Sequence, residues 1–345
     1  MSLLQPSVSQ GQGAEWLALS DHVGPIGPDG VAEVVHRGTL VMELGCPAKR
    51  GSVLLDFRAD TGWPRRFSIF CDPLAGLVIL HRQGATVRRH ILPGPLPQDW
   101  SLARLTFGWD GPARHWLLRL EDASGTWSVE AEGTNPLPLA GTDLLTLCAG
   151  GQGTTRDATV HWFGLCGTAP PCEINAWTGH RTPIETPRGV VAAGDLRIGD
   201  QIITLNHGVQ QLRAMHRAVL PNRGRFAPVL LRAPYYAHHA DLLVAPGLLT
   251  LLSGAAVEYL FGEDAVLAPA SALRDGNSAL SDLRRPVTTG IRLDLGAPLV
   301  ILANGCPLLM TTANEAASLP HRLLHDYEAA TLQSLLGRGG QRTAA

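Results

Sequence analysis

Between Val31 and Cys166 the chain is interrupted about every ten residues by turn formers, and the stretches between the interruptions are short and apolar. Examples are Gly38-Thr39-Leu40-Val41-Met42-Glu43-Leu44, Ser52 to Phe57, Arg66 to Phe70, Gly76 to Leu80 and Arg104 to Asp110. Each has the length of a strand and is too short to hold the apolar stripe of a packed helix. In Arg114 to Glu121 and Trp127 to Glu130 apolar and polar residues partly alternate, so one face packs and the other meets solvent. Two antiparallel sheets stacked face to face satisfy this pattern. The 38 glycines and 25 prolines extend it to the whole chain, because many turns imply many short elements. The expected fold class is therefore mainly β.

At 345 residues the chain has room for two domains of ~100 to 200 residues each. Hydrophobic residues make up 45% and charged residues 17%, which suits packed cores and excludes a disordered chain. Lys+Arg 28 against Asp+Glu 30 leaves a net charge of -2 without a basic cluster, so neither nucleic acid nor a membrane surface is an expected partner. The N-terminus lacks a basic segment followed by an apolar one, which gives cytoplasm as the default location, with signal-less secretion still open. The longest apolar run, Leu242 to Leu252, is broken by Pro246 and Gly247 and is too short to span a bilayer. Six cysteines without a CxxC pair argue against a disulfide framework and a zinc site, and nothing calls for a cofactor.

The strand order running through "RLTFGWD", "WLLRLED" and a late "VHWFGLC" resembles the concanavalin A-like lectin and laminin-G-like jelly rolls. The resemblance implies a sandwich over residues 20–167, preceded by an extension, 1–19, and makes a glycan a possible partner. Tryptophans 63, 100, 109, 116, 127 and 162 would be a sugar-stacking platform under that reading, and core residues under the plainer one. Gly167-Thr168-Ala169-Pro170-Pro171 then breaks the pattern, so residues 168–171 read as a linker.

The chain beyond Pro171 is more distinctive. "TPIETPRG", "AGDLRIGDQIITLNHGVQ", "ADLLVAPGLLTLL", "AVEYLFGEDAVLAPASAL" and "LVILANG" occur in that order. They resemble the bacterial Hedgehog/intein (Hint) domain, and the resemblance implies an all-β Hint fold over 172–312. Its structural motif falls on Gly189, Asp195, Gly199, Asp200, Thr204, Asp241 and Pro246. Gly199-Asp200 is explained by local physics alone, since glycine admits positive φ and aspartate can accept backbone N–H groups. Pro187-Arg188-Gly189 and Asn206-His207-Gly208 read as hairpin turns, and 313–345 as a helix over Asn314 to Leu336 followed by a tail.

The resemblance also implies self-cleavage by N-to-S acyl shift, which needs a nucleophile, a proton-donating histidine and oxyanion donors. Aligned on the family pattern, the nucleophile position holds Trp177, and Cys172 serves only with a five-residue insertion. Cys172 is either that nucleophile, cutting after Pro171, or an ordinary thiol beside a linker. The "SPxH" segment appears as Ala245-Pro246-Gly247-Leu248, a second family histidine falls on Pro298, and the "ES" pair falls on Leu309 and Met310. His238 and His239 lie upstream; His239 is either a substitute proton donor or, with His238, half of a surface pair. Asn304-Gly305-Cys306 reads as a hairpin turn rather than a splice junction. The expected function is thus a degenerate self-cleaving domain acting as a structural or interaction module. The alternatives are active autoprocessing before Cys172, with the chain as its own substrate, and glycan binding by the sandwich.

Overall fold

The computed structural model describes residues 15–339, apart from 27–29, 47–50, 61, 98–99, 124, 168–175, 238 and 312–318. Strand accounts for 51% and helix for 11%, as the turn density predicts for a mainly β chain. Two compact units divide at Pro170 and Pro171.

The first unit is a sandwich of two antiparallel sheets. One has six strands in the order Trp16–Leu19, Val160–Cys166, Arg37–Gly45, Leu102–Asp110, His115–Asp122 and Ser128–Thr134. The other has five, Thr154–Arg156, Ser52–Ala59, Arg65–Asp72, Gly76–Gln83 and Thr86–Pro93. Its first strand begins at Trp16, inside the stretch expected to precede the sandwich, and pairs with Val160–Cys166. Leu40, Met42, Leu54, Ile69, Phe107 and Leu118 fill the space between the sheets. Period-two alternation explains this, since every second residue of each strand turns inward. A short helix, Gly141–Ala149, packs Leu144 and Leu147 onto the same core and ends on Gly150 in the left-handed region. Its apolar run is too short for periodicity to distinguish it from a strand.

The second unit holds a six-stranded sheet in the order Ala214–Pro221, Val287–Asp294, Thr178–Gly179, Leu242–Val244, Val229–Leu231 and Ala279–Ser281. A seven-stranded sheet is built around the neighbouring strands Gln201–Thr204, Leu299–Ala303, Cys306–Met310 and Leu249–Ser253. The hairpin Pro183–Thr186 with Gly189–Ala192 forms a separate two-stranded sheet. Among the described residues no helix is long and apolar enough to cross a membrane.

The C-terminal helix corrects the sequence expectation. It runs Asp326–Gly339, so Leu319 to His325, expected to be helical, precede it. Pro320 has no N–H to donate, and Arg322–Leu323 instead pair in parallel with Val266–Leu267. The start is fixed by Glu328, whose carboxylate accepts the His325 N–H at 2.9 Å.

Candidate functional site

The turns predicted around Gly199-Asp200 take the form that physics requires. Gly199 sits at φ 98, and the Asp200 carboxylate accepts the Arg197 N–H at 2.8 Å, while the Leu212 N–H bonds the Asp200 carbonyl. Removing that acceptor in Asp200→Ala is expected to lower stability by about 1 kcal/mol, measurable by thermal unfolding. Thr204 is buried and donates its hydroxyl to the Gly208 carbonyl at 2.7 Å, closing the next hairpin. Gly189 sits at φ 112, and Asp195 donates its N–H to the Ala192 carbonyl. These residues are a turn framework, and each is accounted for by its backbone.

The positions that would carry chemistry look different. Trp177 is 2% exposed, and its indole lies directly over Gly290, where an added Cβ would come within 2.7 Å of the ring. Its carbonyl accepts the Ala245 N–H at 2.9 Å, which brings the matched nucleophile and "SPxH" positions together. Leu248 closes that turn on the Ala245 carbonyl at 3.1 Å, and both side chains are fully buried. Pro246 is half-buried, and its carbonyl accepts the Ser271 N–H. Leu309 and Met310 are core residues of the seven-stranded sheet. The structure therefore joins Trp177 to the turn from Ala245 to Leu248, and the side chains at these positions are apolar.

Cys172 and His238 lie outside the described residues. His239 is exposed, and Asp241 beside it holds the Ala233 N–H at 3.0 Å. Asn304 and Gly305, at φ 50 and 93, form the two-residue turn between paired Ala303 and Cys306. Glu185 accepts the Gly305 N–H at 2.8 Å. Cys306 is fully buried, and desolvation pushes its thiol up to about 12, so it is no nucleophile at neutral pH. No group of three or more potential metal ligands occurs among the described residues.

A family profile described as Hint domain matches residues 179–309. These residues form a Hint domain. Because the match starts at Gly179, the Hint domain's first matched residue follows Trp177 by two positions. No curated protein matches the chain. Among solved structures, the MchDnaB-1 intein shares 16% identity over 39% of this chain and 99% of its own, at a TM-score of 0.24. The CBM40 of Ruminococcus gnavus IT-sialidase shares 11% over 46% of this chain and 91% of its own, at 0.28. Likenesses at this level carry no argument about activity.

In the sandwich, Trp100, Trp109, Trp116 and Trp162 are buried, and Trp162 donates its indole N–H to Glu43 at 2.8 Å. Trp63 is exposed, and Trp127 is half-buried against Trp100. Most of the tryptophans expected as a platform are thus core.

Proposed function

We propose that the Hint domain of this chain has lost self-cleavage and serves as a structural and interaction module. The observation that carries the reading is the buried indole of Trp177, at the position that aligns with the family's nucleophile in the sequence pattern. Acyl shift needs a thiolate or alkoxide beside the scissile carbonyl and an imidazole to protonate the departing nitrogen. An indole is not a nucleophile, Leu248 moves no proton, and Ala245 offers no hydroxyl. Retaining the turn framework while these groups are apolar is what a domain kept for its surface would do.

The test is incubation of the full chain with dithiothreitol, followed by intact-mass spectrometry. The expected spectrum is a single species at 36.8 kDa. Fragments arising from cleavage before Cys172, lost in Cys172→Ala, would replace this reading with active autoprocessing.

A further inference from the structure

The six-stranded sheet of the Hint domain contains a gap. Thr178–Gly179 is its third strand, lies between Val287–Asp294 and Leu242–Val244, and is two residues long. It pairs with Ile291 and Gly290 on one side and with Val244 on the other. After it the chain turns through His180 and Arg181, and the Thr182 N–H returns to the Gly179 carbonyl at 3.0 Å. Past that turn the strand Val287–Asp294 continues through Thr289, Thr288 and Val287, whereas Leu242–Val244 has one further residue, Leu242.

The longer wall, Val287–Asp294, turns backbone groups into this gap. The Asn222 N–H bonds the Pro286 carbonyl in register with the pairing of Ala214–Pro221 and Val287–Asp294. Even-numbered residues of the second strand therefore face the first, and Val287 and Thr289 face the gap with Ile291. On the opposite wall Leu243 lies opposite Gly179, and its carbonyl already accepts the Thr182 hydroxyl at 3.2 Å. Among the described residues no strand pairs with Val287 or Thr289 on this side.

The gap opens into a groove of about 720 Å³, within the range of binding sites that hold a small ligand or short peptide. Leu230 and Leu243 give it an apolar patch, and Arg181, Arg284 and Arg285 line it. Its two carboxylates are already engaged. Asp282 holds Arg284 through contacts of 2.8 and 2.9 Å, and Asp241 accepts the Ala233 N–H. Arg181 and Arg285 are exposed; the Arg285 charge helps to hold the Asp282 carboxyl down, and Arg181 has no ion-pair partner among the described residues.

We infer that this groove takes an extended acidic peptide, which adds a strand in the gap and pairs its carboxylates with Arg181 and Arg285. The open edge at Val287 and Thr289 favours a strand over a compact ligand, because a strand satisfies the main-chain groups along that edge. These exposed guanidiniums select carboxylates, which they can hold through paired N–H donors. The inference deepens the module reading and rests on it. The thiol assay decides that reading by mass, whereas the present one is decided by binding, so the two fail separately.

The test uses the full chain and a fluorescein-labelled eight-residue peptide of alternating Glu and Val, read by fluorescence anisotropy. Saturable binding that weakens with salt is expected, with none for the peptide carrying Lys in place of Glu. Arg181→Glu combined with Arg285→Glu should weaken binding at least tenfold at unchanged thermal stability. N-methylation of alternate peptide amides should also cost at least tenfold, and this comparison on the unaltered protein stands even where the double variant misfolds. Bound peptide should slow hydrogen exchange at the Val287 and Thr289 amides. Equal binding of the N-methylated peptide, competition by citrate at equal affinity, or no binding of the acidic peptide would each overturn strand addition.

Discussion

Lowering the pH from 7 to 4.5 is expected to cost the sandwich about 5 kcal/mol, an effect of the order of a whole domain's stability. The cause is two histidines on adjacent strands that face the interior. His81 and His90 are 2% and 1% exposed, and the His90 ring lies 4.8 Å from the rings of both Phe107 and Trp116. Among the described residues neither ring nitrogen of His90 has a hydrogen-bond partner. Burial, with the His90 charge adding to it, pushes His81 down to about 3, and burial with the Arg88 charge pushes His90 down to about 4. In the unfolded chain both protonate near 6.5. The stability they confer is therefore complete above that pH and is lost as pH falls, at about 1.4 kcal/mol per histidine per unit, until each folded value is reached.

Carboxylates move the same way in a lower window. Asp72, held down by the Ala75 and Leu74 N–H groups, and Asp157, held down by the hydroxyl and N–H of Thr159, act only below about pH 4. Urea unfolding followed by tryptophan fluorescence reports mainly on this unit, because every tryptophan except Trp177 lies in it. His90→Leu should raise stability at pH 7 by about 1 kcal/mol, by removing unpartnered buried nitrogens, and should halve the loss between pH 6.5 and 4.5. A midpoint that does not move over this range, or an unchanged slope in His90→Leu, would refute the account.

These histidines mark where the sequence stops being legible. The strands themselves were readable: Gly38 to Leu44, Ser52 to Phe57 and Arg104 to Asp110 all fall inside observed strands, because turn residues bound them and apolar residues fill them. Thr86–Pro93 was not, since its first four residues are exposed and it has few inward apolar residues to declare it. Which face of that strand turns inward depends on its partner, so His90 could not be recognised as core. In the Hint domain the turn motif was legible because Gly199 and Asp200 act on their immediate neighbours. The groove was not, because Arg181, Leu230, Leu243, Arg285 and Val287 come together only when separate segments join one sheet. The match of Trp177 to a nucleophile position was visible by alignment, but its burial over Gly290 came only from packing. The late start of the C-terminal helix has the same origin, a strand pairing formed with distant residues.

Truncating Trp177 should be the most damaging single change in the Hint domain. The indole is fully buried against Gly290, so Trp177→Ala removes its contacts and leaves a cavity, at a cost of about 3 to 5 kcal/mol. Gly290 supplies the control. An alanine there would place its Cβ 2.7 Å from the indole Cδ2 and 2.9 Å from Cγ, so Gly290→Ala should cost about 1 to 3 kcal/mol while the indole is present. With Trp177→Ala the obstructing ring is gone, and the same glycine substitution should be close to neutral. The double-mutant cycle therefore has a coupling of about 1 to 3 kcal/mol, opposite in sign to the two separate losses. Chemical denaturation followed by far-UV circular dichroism measures all four corners. A functional pocket kept open for chemistry would tolerate loss of the ring and would show no such coupling. Additive losses, or a Trp177→Ala variant as stable as the parent, would mean that the indole does not hold this site together.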